Sequence, residues 1–139
     1  MNVVDLNADV GESYGLMHSG IDSEIIPHVT SVNIATGFHS GDPDTIKKTV
    51  ELALSYSKSI GAHPSYPDLQ GFGRRKIDMD IDSIENLISY QVGALHAFSK
   101  DNLNHVKPHG ALYNNAAKDM NIAEAIFKSV DFFDNTLIH

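Results

Sequence analysis

The chain has 139 residues, 42% hydrophobic and 20% charged, the size and balance of one folded domain with a buried core rather than of a disordered or fibrous segment. A formal net charge of -8 argues against nucleic acid and anionic membrane as partners, since neither polyanion would be attracted. Cysteine is absent, which excludes disulfide scaffolds and thiolate metal sites, and no apolar run approaches the roughly 20 residues of a membrane span.

The N-terminus MNVVDLNADV has no basic segment running into an apolar one, so the expected location is the cytoplasm. In chain order, NVVDLNA (2–8) reads as a first strand. Around it Asp5, Asn7 and Asp9 alternate with Leu6, Ala8 and Val10, which puts the polar side chains on one face. Whether that face meets water or a site is open at this point. A loop with Gly11, Gly15 and Gly20 leads to a short helix predicted over 22–28 and starting at Asp22. SVNIA (31–35) is a short β-branched run, consistent with a buried strand, and it ends in GFHSGDP. Asp42 is placed as an N-cap with Pro43 at the first helical position, and Ile46, Val50, Ala53 and Leu54 recur at helical spacing, predicting a helix over 43–57.

SIGAH (59–63) is the third strand. PSYPDLQGFGRR, broken by prolines and glycines, is irregular loop, and its GFGRR reads as a plain turn with solvated arginines. Asp82 followed by Glu85 is spaced like a capping box, opening a helix whose stripe is Ile84, Leu87, Ile88, Gln91, Val92, Leu95 and Phe98, to about Lys100. HVKPHG (105–110) is a fourth short strand and loop, Asn121 with Glu124 opens a helix through Val130, and TLIH (136–139) begins a fifth strand.

Such alternation implies an α/β protein with a parallel sheet and helical crossovers, whose ligands bind beyond the carboxyl ends of the strands. The polar residues collect there: Asp5, Asn7 and Asp9 with the first strand, Asn33 and His39 with the second, His63 with the third, Lys107 and His109 with the fourth. His18, His28, His96 and His105 lack that placement and are assigned to surface or core. Three histidines near carboxylates are the ligand types of a divalent-metal hydrolase, with His39, His63 and His109 the candidate ligands. Without metal, Asp9 or Glu12 is a candidate general base, and Lys107 or a protonated histidine a candidate for stabilising an oxyanion. Either route suggests hydrolysis at a carbonyl.

The stretches DLNADVGESYG, SVNIATGFHSGDP, IGAHPSYPDLQGFGRR and HVKPHGALYN, in that order, resemble the LamB/YcsF family across nearly the whole chain. Thr36 stands where the family usually has Cys, and Ser40 where it commonly has Ala; both positions are small. The resemblance implies the 5-oxoprolinase reaction, an ATP-dependent hydrolysis of 5-oxo-L-proline to L-glutamate. ATP would be a co-substrate handled with 5-oxoprolinase subunits B and C, because this chain has no GxxxxGK[ST] loop. Carried over by position, it points to Asp9, Glu12, His39, His63, Arg74, Lys107 and His109. We expect Asp9, Glu12, His63, Lys107 and His109 in catalytic roles, and Asn7, His39 and Arg74 in substrate binding.

The fold the resemblance implies is an irregular (β/α) barrel of the NodB-like deacetylase type. A barrel takes about 250 residues, so this chain is expected to be a single domain forming the N-terminal part of one, an incomplete barrel whose exposed edge would favour association between copies. From the residues alone, a five-stranded doubly wound parallel sheet also fits. A metal-dependent deacetylase or amidohydrolase, and a non-catalytic binding component, are the other functions that suit these residues.

Overall fold

The computed structural model describes residues 4–131 and residue 133. The strand expected at 136–139 lies outside the described residues.

Parallel strands β1 (Asn7–Val10), β2 (Ser31–Ala35), β3 (Ser59–His63) and β4 (Leu103–Val106) form one sheet in the order β1-β2-β3-β4. Between and after them run α1 (Asp22–Ile25), α2 (Pro43–Ser55), α3 (Ile81–Ser99), α4 (Gly110–Ala116) and α5 (Met120–Asp131). Spatial order equal to chain order is the winding of a barrel wall, and the order reversal of a doubly wound sheet is missing among the described strands.

The register explains the division of faces. Ala8, Val32 and Ile60 lie side by side with Leu103, and Val10, Ile34 and Ala62 with Val106. These rows are the apolar face, buried under α2 and α3, with α5 packed on α3. The other rows put Asn7 beside Ser31 and Ser59, and Asp9 beside Asn33, Gly61 and His105. That polar face borders a cavity of about 450 Å³ floored by Asn7, Ser31, Asn33, Ser59 and His105. A bulge between Ile60 and Gly61 sets His105 opposite Gly61, where a β-carbon would stand 2.1 Å from His105 Nε2. Only glycine admits the imidazole there.

Several boundaries differ from the sequence reading, each for a local reason. The lead-in to β1 is pinned by Thr30, whose hydroxyl accepts from Leu6 N and whose amide donates to Leu6 O, so residues 4–6 stay out of the ladder, which takes in Asn7–Val10; residues 2 and 3 of the expected strand lie outside the described residues. The first helix keeps its start at Asp22 but tightens into a 3₁₀ turn over Ile26–His28, where Pro27 supplies no amide hydrogen. Asp42 does cap α2, accepting from Asp44 N and Thr45 N. α3 is capped by Asp80, which accepts from Ser83 N; Asp82 lies inside the first turn. α5 opens one residue early, with the Asp119 carboxylate accepting from Asn121 N. β4 is earlier than expected, Leu103–Val106, because Pro108 cannot extend the ladder, and α4 follows at once where only loop was expected.

Gln91, placed by sequence on an apolar stripe, is fully buried and saturated. Its Oε1 accepts from Thr36 Oγ1 and Ser65 N, while its Nε2 donates to Ser65 O and Leu87 O. This ties α3 to the loops after β2 and β3. Replacing Gln91 with Leu strands Ser65 N and Ser65 O without partners and leaves Thr36 Oγ1 only its 3.3 Å contact to the His63 carbonyl, so an expected loss of about 3 kcal/mol should appear as a lower urea midpoint at unchanged slope.

Candidate active site

His39 follows β2, His63 ends β3 and His109 follows β4, and all three are buried. Equivalent ends of adjacent parallel strands bring them together. The His39 and His109 rings stack with centroids 3.8 Å apart and planes at 4°, and His63 meets both edge-on. His109 is held on three sides: its amide donates to Pro64 O, its Nε2 donates to Phe72 O at 2.8 Å, and its Nδ1 lies 2.9 Å from His63 Nε2. Glu12, from the loop after β1, approaches His39 Nε2 at 3.3 Å.

Beside the histidines lies a charged corner. Asp9 Oδ1 accepts from Lys107 Nζ and from Asn33 Nδ2, both at 2.8 Å, and Oδ2 stands 3.4 Å from His63 Nε2. Burial opposes ionisation of Asp9, but the His63, Lys107 and Asn33 contacts outweigh it and hold the carboxyl far below the usual carboxylate range. Asp9, His63, Arg74, Lys107 and His109 share a pocket of about 200 Å³ with Tyr113 and Asn114 of α4. The Arg74 guanidinium lies 5.9 Å from the Phe72 ring centroid at that mouth.

Of the residues singled out by sequence, Asp9, His63, Arg74, Lys107 and His109 line this one pocket, with Glu12 and His39 behind it. Asn7 does not join them: it accepts from Asn33 Nδ2 at 3.0 Å and faces the cavity on the polar side of the sheet. Asp5 precedes β1 and accepts from the Thr30 and Ser31 hydroxyls, away from the carboxyl ends. The arginines of GFGRR are not equivalent, since Arg75 holds the buried Asp68 carboxylate, which also accepts from Gly71 N, and so stiffens the loop that carries Arg74.

Sequence reasoning missed His105, whose Nε2 donates to Asn33 Oδ1 at 2.8 Å and so turns Asn33's amide nitrogen toward Asp9. It also missed Tyr113 and Asn114, which the unexpected α4 supplies. His18, His28 and His96, assigned to surface or core, are exposed.

Burial pushes the pKa of His39 down and that of His109 down to about 4, so the unfolded chain takes up protons at these rings more readily than the folded one. Stability therefore rises with pH across the interval between the folded and unfolded values. In chelator-containing buffer the unfolding free energy should be level above pH about 6.5 and fall as the pH drops toward about 4. Urea titrations across that range check it, and a flat profile would contradict the buried neutral assignment.

In this α/β rim successive parallel strands deliver imidazole, carboxylate and amine groups to one pocket, the set of groups from which acid–base or metal-assisted chemistry is built. The LamB/YcsF family model matches residues 4–139, and the chain belongs to that family. It is 51% identical over 138 residues to the 5-oxoprolinase A subunit of Limosilactobacillus fermentum, covering 99% of this chain and 55% of that protein. The 5-oxoprolinase A subunit of Staphylococcus carnosus is 54% identical over 138 residues, covering 97% of this chain and 55% of the relative. Among solved structures, the lactam utilization protein of Thermus thermophilus superposes with a TM-score of 0.93 at 50% identity, covering 96% of this chain and 56% of that one. The chain thus spans about half the length of the relatives it matches. Among the described residues no helix is long and apolar enough to cross a membrane.

Proposed function

We propose that this chain acts as the A subunit of a 5-oxoprolinase, opening 5-oxo-L-proline to L-glutamate with ATP as co-substrate and subunits B and C as partners. The observation that carries this reading is 50–54% identity to proteins of that name over 97–99% of this chain.

A five-membered lactam is an unreactive amide, and phosphorylation of its carbonyl oxygen makes the carbon electrophilic. Nucleotide chemistry falls to the partner subunits in this scheme. Water then adds to the carbon, the C–N bond breaks with protonation of nitrogen, and a second water releases phosphate from the resulting acyl phosphate. Asp9 or Glu12 orients or deprotonates the water. Lys107 stands beside the developing negative charge, and His63 and His109 line the same pocket. Arg74 clamps the substrate carboxylate, for which a guanidinium fork is the matching bidentate partner.

The test is glutamate release from 5-oxo-L-proline, with candidate partner subunits added one at a time. Release that needs ATP and the partners, with ADP formed in step, is the expected result. Release without ATP would favour a metal-dependent amidohydrolase instead, and no release under any combination would reduce the chain to a binding component.

A further inference from the structure

Each histidine of the cluster commits one ring nitrogen to a protein acceptor. His63 Nδ1 lies 2.5 Å from the Lys107 carbonyl and His109 Nε2 lies 2.8 Å from the Phe72 carbonyl. Carbonyls only accept, so both nitrogens carry the hydrogen. His39 Nδ1 lies 3.0 Å from Ser65 Oγ, whose own hydrogen goes to the Tyr66 carbonyl, so this nitrogen donates as well.

In a neutral imidazole the remaining nitrogen is then a lone pair, and here the lone pairs do not meet donors. His63 Nε2 and His109 Nδ1 face each other at 2.9 Å, with Asp9 Oδ2 a further acceptor 3.4 Å from His63 Nε2, and His39 Nε2 faces Glu12 Oε1 at 3.3 Å. Acceptor set against acceptor at such distances repels unless positive charge lies between. A proton on one ring relieves one contact and leaves the other. One divalent ion relieves both.

We infer that Glu12, His39, His63 and His109 together bind a divalent transition-metal ion, with zinc the best match to three imidazoles and one carboxylate. One ligand atom from each residue falls within a span of 4.8 Å. Ligands about 2.0–2.1 Å from a tetrahedral zinc stand about 3.4 Å apart, close to the 2.9 and 3.3 Å of the two facing pairs. The committed nitrogens already make the outer hydrogen bonds that fix tautomer and ring direction in metal-binding histidines. None of this depends on the lactam chemistry.

The test is calorimetric titration of the chelator-treated chain with zinc chloride, beside elemental analysis of chain purified without added metal. Saturation at one ion per chain is expected, with His63→Ala and His109→Ala each weakening binding more than about 100-fold. Ser65→Ala removes the acceptor that turns His39, together with a local hydrogen bond to the Tyr66 carbonyl, and should weaken binding about 10- to 100-fold with an unchanged circular dichroism spectrum. Ser65 is therefore a positioning residue, and its variant decides the matter if the histidine variants fail to fold. His28→Ala, at an exposed histidine, should bind as the parent does. Absence of bound ion, binding that survives in the His63 and His109 variants, or loss of binding in His28→Ala would each overturn the site. Zinc binding by a chain that releases no glutamate leaves this inference standing and removes the lactam reading; glutamate release by a chain that takes up no zinc does the reverse.

Discussion

Exchanging Asp9 for Asn is expected to lower glutamate release by about 10²- to 10³-fold in the assay with partner subunits, the range for a positioned proton-transfer or charge-stabilising group. Asp9 is where the pocket's charges converge: one oxygen takes both Lys107 Nζ and Asn33 Nδ2, and the other faces His63. Asn keeps the volume and one acceptor but loses the charge that holds the ammonium and the imidazole in register. The carboxylate is part-exposed, with 36% of its side chain accessible, so the fold should tolerate the change. A fall in kcat with KM moved less than about threefold would mark an interaction made chiefly in the transition state. Unchanged turnover would remove Asp9 from the reacting groups. Lys107→Ala should follow in the same direction, since it removes the other half of the pair.

The convergence of His39, His63 and His109 could be anticipated because each stands where a parallel strand gives way to loop, and parallel register carries equivalent positions to one edge. SVNIA and SIGAH fall at their expected bounds, 31–35 and 59–63, because a β-branched or apolar run closed by turn residues leaves little freedom in where it starts and stops. What failed to show was anything fixed by a partner distant in sequence. His105 joins the polar face through a bulge in the β3–β4 pairing, and no local pattern announces a bulge. Gln91 fits an apolar stripe by period alone, and its polarity makes sense only once Thr36 and Ser65 are seen against it. α4 begins at Gly110 with no side-chain cap, so the signals that mark helix starts were absent. Arg74 and Arg75 are neighbours of one type, and only the buried Asp68 separates them into a pocket residue and a loop anchor.

Gly73→Ala is expected to destabilise the chain by about 2–5 kcal/mol and to spread the histidine cluster. Gly73 has φ +64°, a conformation that costs a residue with a β-carbon about 1–2 kcal/mol. The added carbon would stand 2.8 Å from His109 Cδ2 and 2.9 Å from His39 Cβ, closer than van der Waals contact allows, and overpacking of this kind costs about 1–3 kcal/mol. Gly15 separates the two contributions. Its φ is +56°, yet nothing lies within 4 Å of its would-be β-carbon, so Gly15→Ala should show the backbone cost alone. Urea unfolding of both variants measures the difference, and zinc titration of Gly73→Ala should show weakened binding as the stacked His39 and His109 rings, now 3.8 Å apart, are pushed out of alignment. Equal losses for the two variants would mean that the loop carrying Gly73 yields freely, and that the close packing of this turn does not set the spacing of the histidines.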